Sequence, residues 1–281
     1  MSSKKITKIA FQGAKGAYSD MACRAVFPEV ETLPNNTFEE AFASVYEGKA
    51  DLAMIPVDNT IAGRVADVHH LMPEGNLFII AEHFQPIKHA LLGVKGAKIE
   101  DLKHVHSHVH ALPQCRKAIT ELGLQRHVHA DTAGAAEQIA NRGDKAHGAI
   151  ASELAAEIYG LDILRSDLQD ADHNTTRFLI LGPEPEIPQD RKGVITSLIF
   201  ECRNIPAALY KCLGGFATNG LSLSKLESYV DPQFQSAKFY CDIDGHPESE
   251  AFKLALEELG FYAADVKFLG AYKAAAFRSG H

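Results

Sequence analysis

Short apolar or β-branched runs recur along the first part of the chain: ITKIAF, DLAMIPV, LFIIAEHF, HALLGV, HVHSHV, GAIAS and RFLIL. Between them, residues 17–27, 38–47, 61–72, 111–122, 132–142 and 152–159 carry apolar positions at helical spacing. Strands alternating with helices in this way predict α/β layers built on largely parallel sheets. Beyond residue 193 the order changes. It reads strand VITSLIFEC, helix PAALYKCLGGFATNG, strands LSLSKLESYV and AKFYCDIDG, helix ESEAFKLALEELGFY and strand VKFLGAYKA. That β-α-β-β-α-β succession is the ferredoxin-like order and predicts an α+β unit. Within 238–244, Phe239, Cys241 and Ile243 alternate with Tyr240, Asp242 and Asp244, which predicts a core face and a polar, solvated face. In the last helix Phe252, Ala255, Leu256 and Leu259 fall on one buried stripe.

The seam between the two patterns is GPEPEIPQDRKG, residues 182–193, where prolines alternate with charges and no apolar period survives. Such a segment is a semi-extended linker. The expected organisation is therefore an α/β domain over 1–182, a linker over 183–193 and the α+β domain over 194–281. A chain of 281 residues is long enough for two cores. The formal charge of −8, with no cluster of Lys and Arg, argues against nucleic acid or an anionic membrane as partner. No apolar run is long enough for a membrane span and no signal-like segment opens the sequence, so a cytoplasmic location is expected. Five scattered cysteines without CxxC spacing predict buried small hydrophobes rather than a disulfide framework.

In an acidic chain, an anionic ligand must be held by local donors. Four segments place a polar or Gly-containing turn between a strand and a helix: Gln12–Ser19, Pro56–Gly63, His106–His108 before Ala111, and Asp131–Gly134. Each Ser, Thr, Asn or Asp taken singly reads first as an N-cap, but four such helix N-termini together in an acidic chain point to a site for an anionic small ligand. GAKGAY is not a dinucleotide fingerprint, no P-loop occurs, and no G-x-S-x-G elbow is present. His104, His106, His108 and His110 alternate, as two zinc ligands on a strand would, but no further ligand stands at metal spacing, so no metal is expected. Asp172–Leu181 differs in kind. Asn174, Thr175, Thr176 and Arg177 stand directly ahead of an apolar strand, and Arg177 offers a planar two-point donor for a carboxylate.

Asn174-Thr175-Thr176-Arg177-Phe178 resembles the TRF motif of prephenate dehydratases. FQGAKGAYS, PVDNTIAGRV, HSHVHALPQC and DTAGAAEQIA are similar to further motifs of that family, in the same order. The C-terminal unit resembles the family's ACT regulatory domain. The resemblance implies a two-lobed catalytic domain, like a periplasmic binding protein, with its site in the cleft. It implies loss of carbon dioxide and hydroxide from prephenate to give phenylpyruvate, in phenylalanine biosynthesis, without a cofactor. Carried over by position, Thr176 meets the departing hydroxyl, Arg177 and Asn174 hold carboxylates, and Asp58, Asn59, Thr60, Ser107 and Thr132 line the cleft. The implied effector is L-phenylalanine, at Asn204, Ala207, Ala208 and Leu209 with Leu226, Glu227 and Ser228, in a homodimer or homotetramer.

The sequence departs from the family pattern at Asp58 (usually Glu), Thr60 (Ser), Ala207 (Gly) and Tyr229 (Arg). The first two keep their functional groups, so the departures weigh mainly on the effector site. Arogenate as substrate, and a non-catalytic anion-binding sensor, are the competing readings.

Overall fold

The computed structural model describes residues 5–230 and 237–280. The element order is β1 (Lys8–Gln12), α1 (Tyr18–Val26), β2 (Glu31–Asn35), α2 (Phe38–Tyr46), β3 (Leu52–Asn59), β4 (Gly63–Arg64), α3 (Ala66–Glu74), β5 (Phe78–Pro86) and β6 (Ala90–Gly93). It continues with β7 (His104–His108), α4 (Ala111–Gln114), α5 (Arg116–Glu121), β8 (Gln125–His129), α6 (Thr132–Arg142), β9 (His147–Ala151), α7 (Glu153–Tyr159), β10 (Asp162–Arg165) and β11 (Thr175–Gly182). The last part comprises β12 (Val194–Cys202), α8 (Ala208–Thr218), β13 (Ser222–Val230), β14 (Ala237–Asp244), α9 (Glu250–Tyr262) and β15 (Ala263–Lys273).

Two α/β sheets and one α+β sheet result. The first has the order β2-β1-β3-β11-β5 with β4 on β3, the second β10-β6-β9-β7-β8 and the third β13-β14-β12-β15. Strands β1, β2 and β3 pair in parallel, as do β7, β8 and β9. The third sheet is antiparallel, and its order is that of a ferredoxin-like unit. Strands β1, β2, β7, β8 and β9 each lead through a short turn into a helix, and β3 into the turn before β4, so the polar turns read from the sequence gather at the carboxyl ends of the strands.

By compactness the chain divides into Met1–Val68 with His83–Phe178, and His69–Glu82 with Leu179–His281. Residues 69–82 thus fold with the α+β unit although they lie within the N-terminal half of the sequence. In the first unit Leu91, Val105, Leu112, Cys115, Ile119 and Ile150 form one core. In the second, Phe200, Phe216, Cys241, Ile243, Phe252, Ala255 and Leu259 close the space between sheet and helices. All five cysteines are buried and free.

Several local expectations are corrected. The helix expected from residue 61 begins at Ala66, because Asn59 Oδ1 accepts from the Ile61 and Ala62 N–H groups and holds a turn there. The helix expected over 111–122 breaks at Cys115 (φ −118°, ψ 26°). The face of β14 read as solvated is buried at Tyr240 and Asp242, and only Asp244 is exposed. Asp242 Oδ1 accepts from Ser197 Oγ at 2.5 Å and from the Tyr240 hydroxyl at 2.6 Å, which satisfies a buried carboxylate without solvent.

Candidate active site

Thr176 lies half-buried at the start of β11, beside the end of β3. A strand alternates its faces, so Thr176 and Arg177 point to opposite sides, and Asn59 and Asp58 do likewise. The side chains sort accordingly. On one side Asn59 Nδ2 donates to Thr176 Oγ1 at 2.9 Å and to Asn174 Oδ1 at 2.8 Å. On the other, the buried Arg177 pairs with Asp58, Nη1 to Oδ2, at 3.9 Å. The Asn59 carbonyl oxygen is occupied by the turn it caps, so its amide orientation is fixed and its NH2 is committed to Thr176 and Asn174.

The hydrogen-bond chain continues inward. Asn174, 3% exposed, donates from Nδ2 to Gln114 Oε1 at 2.7 Å. His89 Nε2 lies 2.9 Å from the same oxygen, and the Tyr18 hydroxyl lies 2.8 Å from His89 Nδ1. Because Gln114 Oε1 only accepts, His89 carries its proton on Nε2, which leaves Nδ1 to accept; the Tyr18 hydroxyl meets both His89 Nδ1 and the Lys88 carbonyl at 2.8 Å, so its one proton is divided between two acceptors. Burial lowers the His89 pKa, with the Gln114 bond opposing it, and burial holds the Tyr18 hydroxyl well above its ordinary value. Both groups are therefore neutral at neutral pH. The result is an uncharged network from Tyr18 to Thr176, in which Gln114 Oε1 accepts from both His89 and Asn174 and Asn59 Nδ2 donates to both Asn174 and Thr176.

The turn Thr60–Ala62 is locked to the same segment. Thr60 N–H donates to the Thr175 carbonyl at 3.0 Å, and its hydroxyl donates to the His173 carbonyl at 2.7 Å while accepting from Thr175 N–H at 3.0 Å. Thr60 thus positions the backbone of the NTTRF segment. Ser107 lies on the core face of β7, fully buried, donating to the Ile150 carbonyl at 2.5 Å. Thr132 opens α6 half-buried, after Asp131 has capped Gly134 N–H at 2.6 Å. A Cβ at Gly134 would lie 2.7 Å from Asp131 Oδ2, so a side chain there would press on the capping carboxylate.

The structure therefore joins Asn59, Asn174 and Thr176 in one constellation, sets Asp58 and Arg177 behind it, and leaves Ser107 and Thr132 outside the network. Gln114, His89 and Tyr18 are additions. Gln114 and Tyr18 fall inside motifs legible in the sequence, whereas His89 carries no local signal.

A polar cavity of about 960 Å³ opens next to the N-terminus of α6, lined by Gln12, Lys15, Asn35 and Asn36 on one side and His129, Asp131, Glu137 and Tyr159 on the other. None of the network residues lines it. Near it Ser152 Oγ donates to the Gly16 carbonyl at 2.5 Å, and a Cβ at Gly16 (φ +85°) would lie 2.8 Å from Ala155 Cα. Among the described residues, no group of three or more His, Cys, Asp or Glu is arranged to hold a metal ion. No helix there is long and apolar enough to cross a membrane.

In the second unit, Asn204 and Ala207 lie in an exposed loop ahead of α8, with Ala208 and Leu209 in its first turn. Ala207 has φ +59°, ψ 29°. Leu226 and Ser228 are exposed on the edge strand β13, and Glu227 is half-buried.

Fold and network together define a two-lobed α/β enzyme unit with a neutral, preorganised set of hydroxyl and amide donors. The chain belongs to the prephenate dehydratase family, a family of lyases: the family model described as "Prephenate dehydratase" matches residues 9–186. A bifunctional N-acyl-homoserine lactone acylase/prephenate dehydratase of Komagataeibacter europaeus is 48% identical over 272 residues, 96% of this chain and 97% of that one. Arogenate dehydratase/prephenate dehydratase 1 of Arabidopsis thaliana, a chloroplastic protein, is 40% identical over 280 residues, 94% of this chain and 71% of that one. The prephenate dehydratase of Arthrobacter aurescens, solved in complex with L-Phe, superposes with a TM-score of 0.88 at 28% identity, covering 96% of this chain and 90% of that one.

Proposed function

We propose that the chain converts prephenate to phenylpyruvate, carbon dioxide and water, with Thr176 as the donor to the departing hydroxyl. The supporting observation is the bond from Asn59 Nδ2 to Thr176 Oγ1. A hydroxyl that accepts there keeps its own proton for an acceptor in the site, and among the described residues it has none. Accepting from Asn59 also polarises that O–H, so its donation strengthens as negative charge grows on the leaving oxygen. The ring carboxylate leaves as carbon dioxide and its electron pair completes the aromatic ring. The hydroxide leaves with a proton as water. Asn174, bonded to Asn59 and Gln114, and Arg177, paired with Asp58 on the opposite face of β11, act as positioning residues that hold the donor in place. Preorganised neutral donors suit this reaction because they meet developing charge without reorganising.

The α+β unit acts in this reading as an ACT regulatory domain that binds L-phenylalanine between the Asn204–Leu209 loop and Leu226, Glu227 and Ser228 of a second copy, in a cytoplasmic homodimer or homotetramer. The bound L-Phe of the Arthrobacter relative supports this assignment. A second reading, an added acylase activity on N-acyl-homoserine lactones, is favoured by the 48% identity to the bifunctional relative.

The test is phenylpyruvate formation from prephenate, run beside arogenate and an N-acyl-homoserine lactone. Turnover of prephenate supports the main reading. Turnover of arogenate alone moves the substrate assignment, release of a fatty acid from the lactone adds the second activity, and no turnover of any substrate refutes the catalytic reading.

A further inference from the structure

Three contacts within the second unit fasten β15 and the residues after it to residues 72–82. The Lys267 ammonium donates to the carbonyls of Met72 at 3.5 Å, Pro73 at 2.7 Å and Gly75, and so caps the carboxyl end of α3. Gly270, with φ +154°, approaches Ile79 so closely that a Cβ would overlap the Ile79 carbonyl oxygen. Arg278 grips Glu82 through two parallel bonds, Nε to Oε1 at 2.6 Å and Nη2 to Oε2 at 2.9 Å, and Ala275 N–H donates to the same carboxylate at 3.1 Å. The Glu82 side chain is fully buried, so this pair is a fixed feature rather than a surface contact.

Ile79 and Glu82 belong to β5, and β5 runs on through Pro86 into the first unit. There the next residue, Ile87, donates its N–H to the Asn174 carbonyl at 2.8 Å. In the sheet, β5 is the neighbour of β11, whose first residues are Thr175, Thr176 and Arg177. The stretch through β5 therefore carries one clamp ahead of the strand at Met72–Gly75, two on the strand at Ile79 and Glu82, and, on the residue that follows the strand, a direct bond to Asn174.

We propose that β5 is the transmission strand of this protein, the element through which the state of the α+β unit sets the position of Asn174 and Thr176, with Arg278 and Lys267 as its positioning residues. The proposal rests on the regulatory reading of that unit. It requires no contact between effector and site, only that the clamped strand have two positions that the two sites favour differently.

Hydrogen–deuterium exchange on the full chain tests it, comparing wild type with Arg278→Lys, which keeps the charge and loses the fork, and Lys267→Met. The N–H groups of Ile87 and Thr60, both bonded within the NTTRF segment, should exchange ~10-fold faster in either variant, while those of β1 remain unchanged. Unchanged exchange at Ile87 and Thr60 in both variants overturns the proposal. Equal acceleration at β1 overturns it too, because that is general loosening. With phenylalanine, wild type should show reduced kcat/KM and both variants should lose at least half of that reduction. Inhibition equally strong in the variants contradicts the transmission role. A wild type indifferent to phenylalanine refutes the effector assignment instead, and the exchange result then decides the proposal alone.

Discussion

At the scale of single residues, the site is a question of which way each side chain points. Asn174, Thr176 and Arg177 were legible because a dense polar cluster ahead of an apolar strand is unusual. Ser107 stands apart from the network because of its strand face: Val105 and Ser107 alternate with His104, His106 and His108, and Ser107 points into the core. His89 was missed since its partners, Tyr18 and Gln114, are distant in sequence. Asn59→Ala removes the donor that orients Thr176 and leaves buried Asn174 with an unpaired acceptor; turnover of prephenate should fall by about 10-fold or more, against a smaller change in KM. Wild-type kinetics for this variant would remove Asn59 from the mechanism. Ala207 illustrates a different cost. Its φ of +59° is one that glycine adopts freely and alanine does not, so Ala207→Gly should stabilise the α+β unit by roughly 1 kcal/mol, read as a higher urea midpoint. An unchanged or lower midpoint would mean that the loop relaxes in alanine's favour.

At the scale of elements, of the strands missed in the sequence β2, β8 and β10 are edge strands, and β4 is a two-residue pairing on β3. Edges carry polar residues and proline, as ETLPN and QRHVH do, so they lack the apolar alternation that betrays an inner strand. The histidines on β7, β8 and β9 form an unusual layer. His104 Nδ1 lies 3.1 Å from His127 Nε2, and His106 Nε2 lies 2.9 Å from His147 Nδ1, which also meets Arg142 Nη1 at 3.0 Å. Arg142 only donates, so His147 Nδ1 accepts and His106 donates, an arrangement that holds with neutral rings. Burial, then the charges of His127, His147, Arg142 and His104, lower the His106 pKa to about 4. The His147 pKa is lowered as well, by burial first and then by Arg142 and His104, with Asp144 opposing. An unfolded histidine titrates near ~6.5, so between that value and about 4 the unfolded chain binds more protons than the folded one. Stability is thus full above ~6.5 and is lost as the pH falls toward 4. Urea unfolding between pH 7 and 4 should show this decline, and His106→Gln, which can still donate to His147, should flatten it. A decline of the same slope in the variant would place its cause elsewhere.

At the scale of the whole molecule, the order of the elements was the most legible feature: alternating strands and helices, then the β-α-β-β-α-β unit, appear where the apolar periods placed them. What the sequence hid is that residues 69–82 fold with the distant α+β unit. Burial created by tertiary packing, as at Tyr240 and Asp242 on a face that alternation reads as solvated, likewise has no periodicity in the chain itself. In the proposed chemistry a threonine hydroxyl, held by an asparagine and backed by a neutral hydrogen-bond network, meets the departing hydroxide. Steady-state phenylpyruvate formation from prephenate by wild type, Thr176→Ser and Thr176→Ala tests it most directly. The expected result is ~10²-fold or greater loss of kcat in Thr176→Ala with KM little changed, and much of the activity retained in Thr176→Ser. A Thr176→Ala enzyme within a few-fold of wild type, or a loss carried entirely by KM, would contradict it.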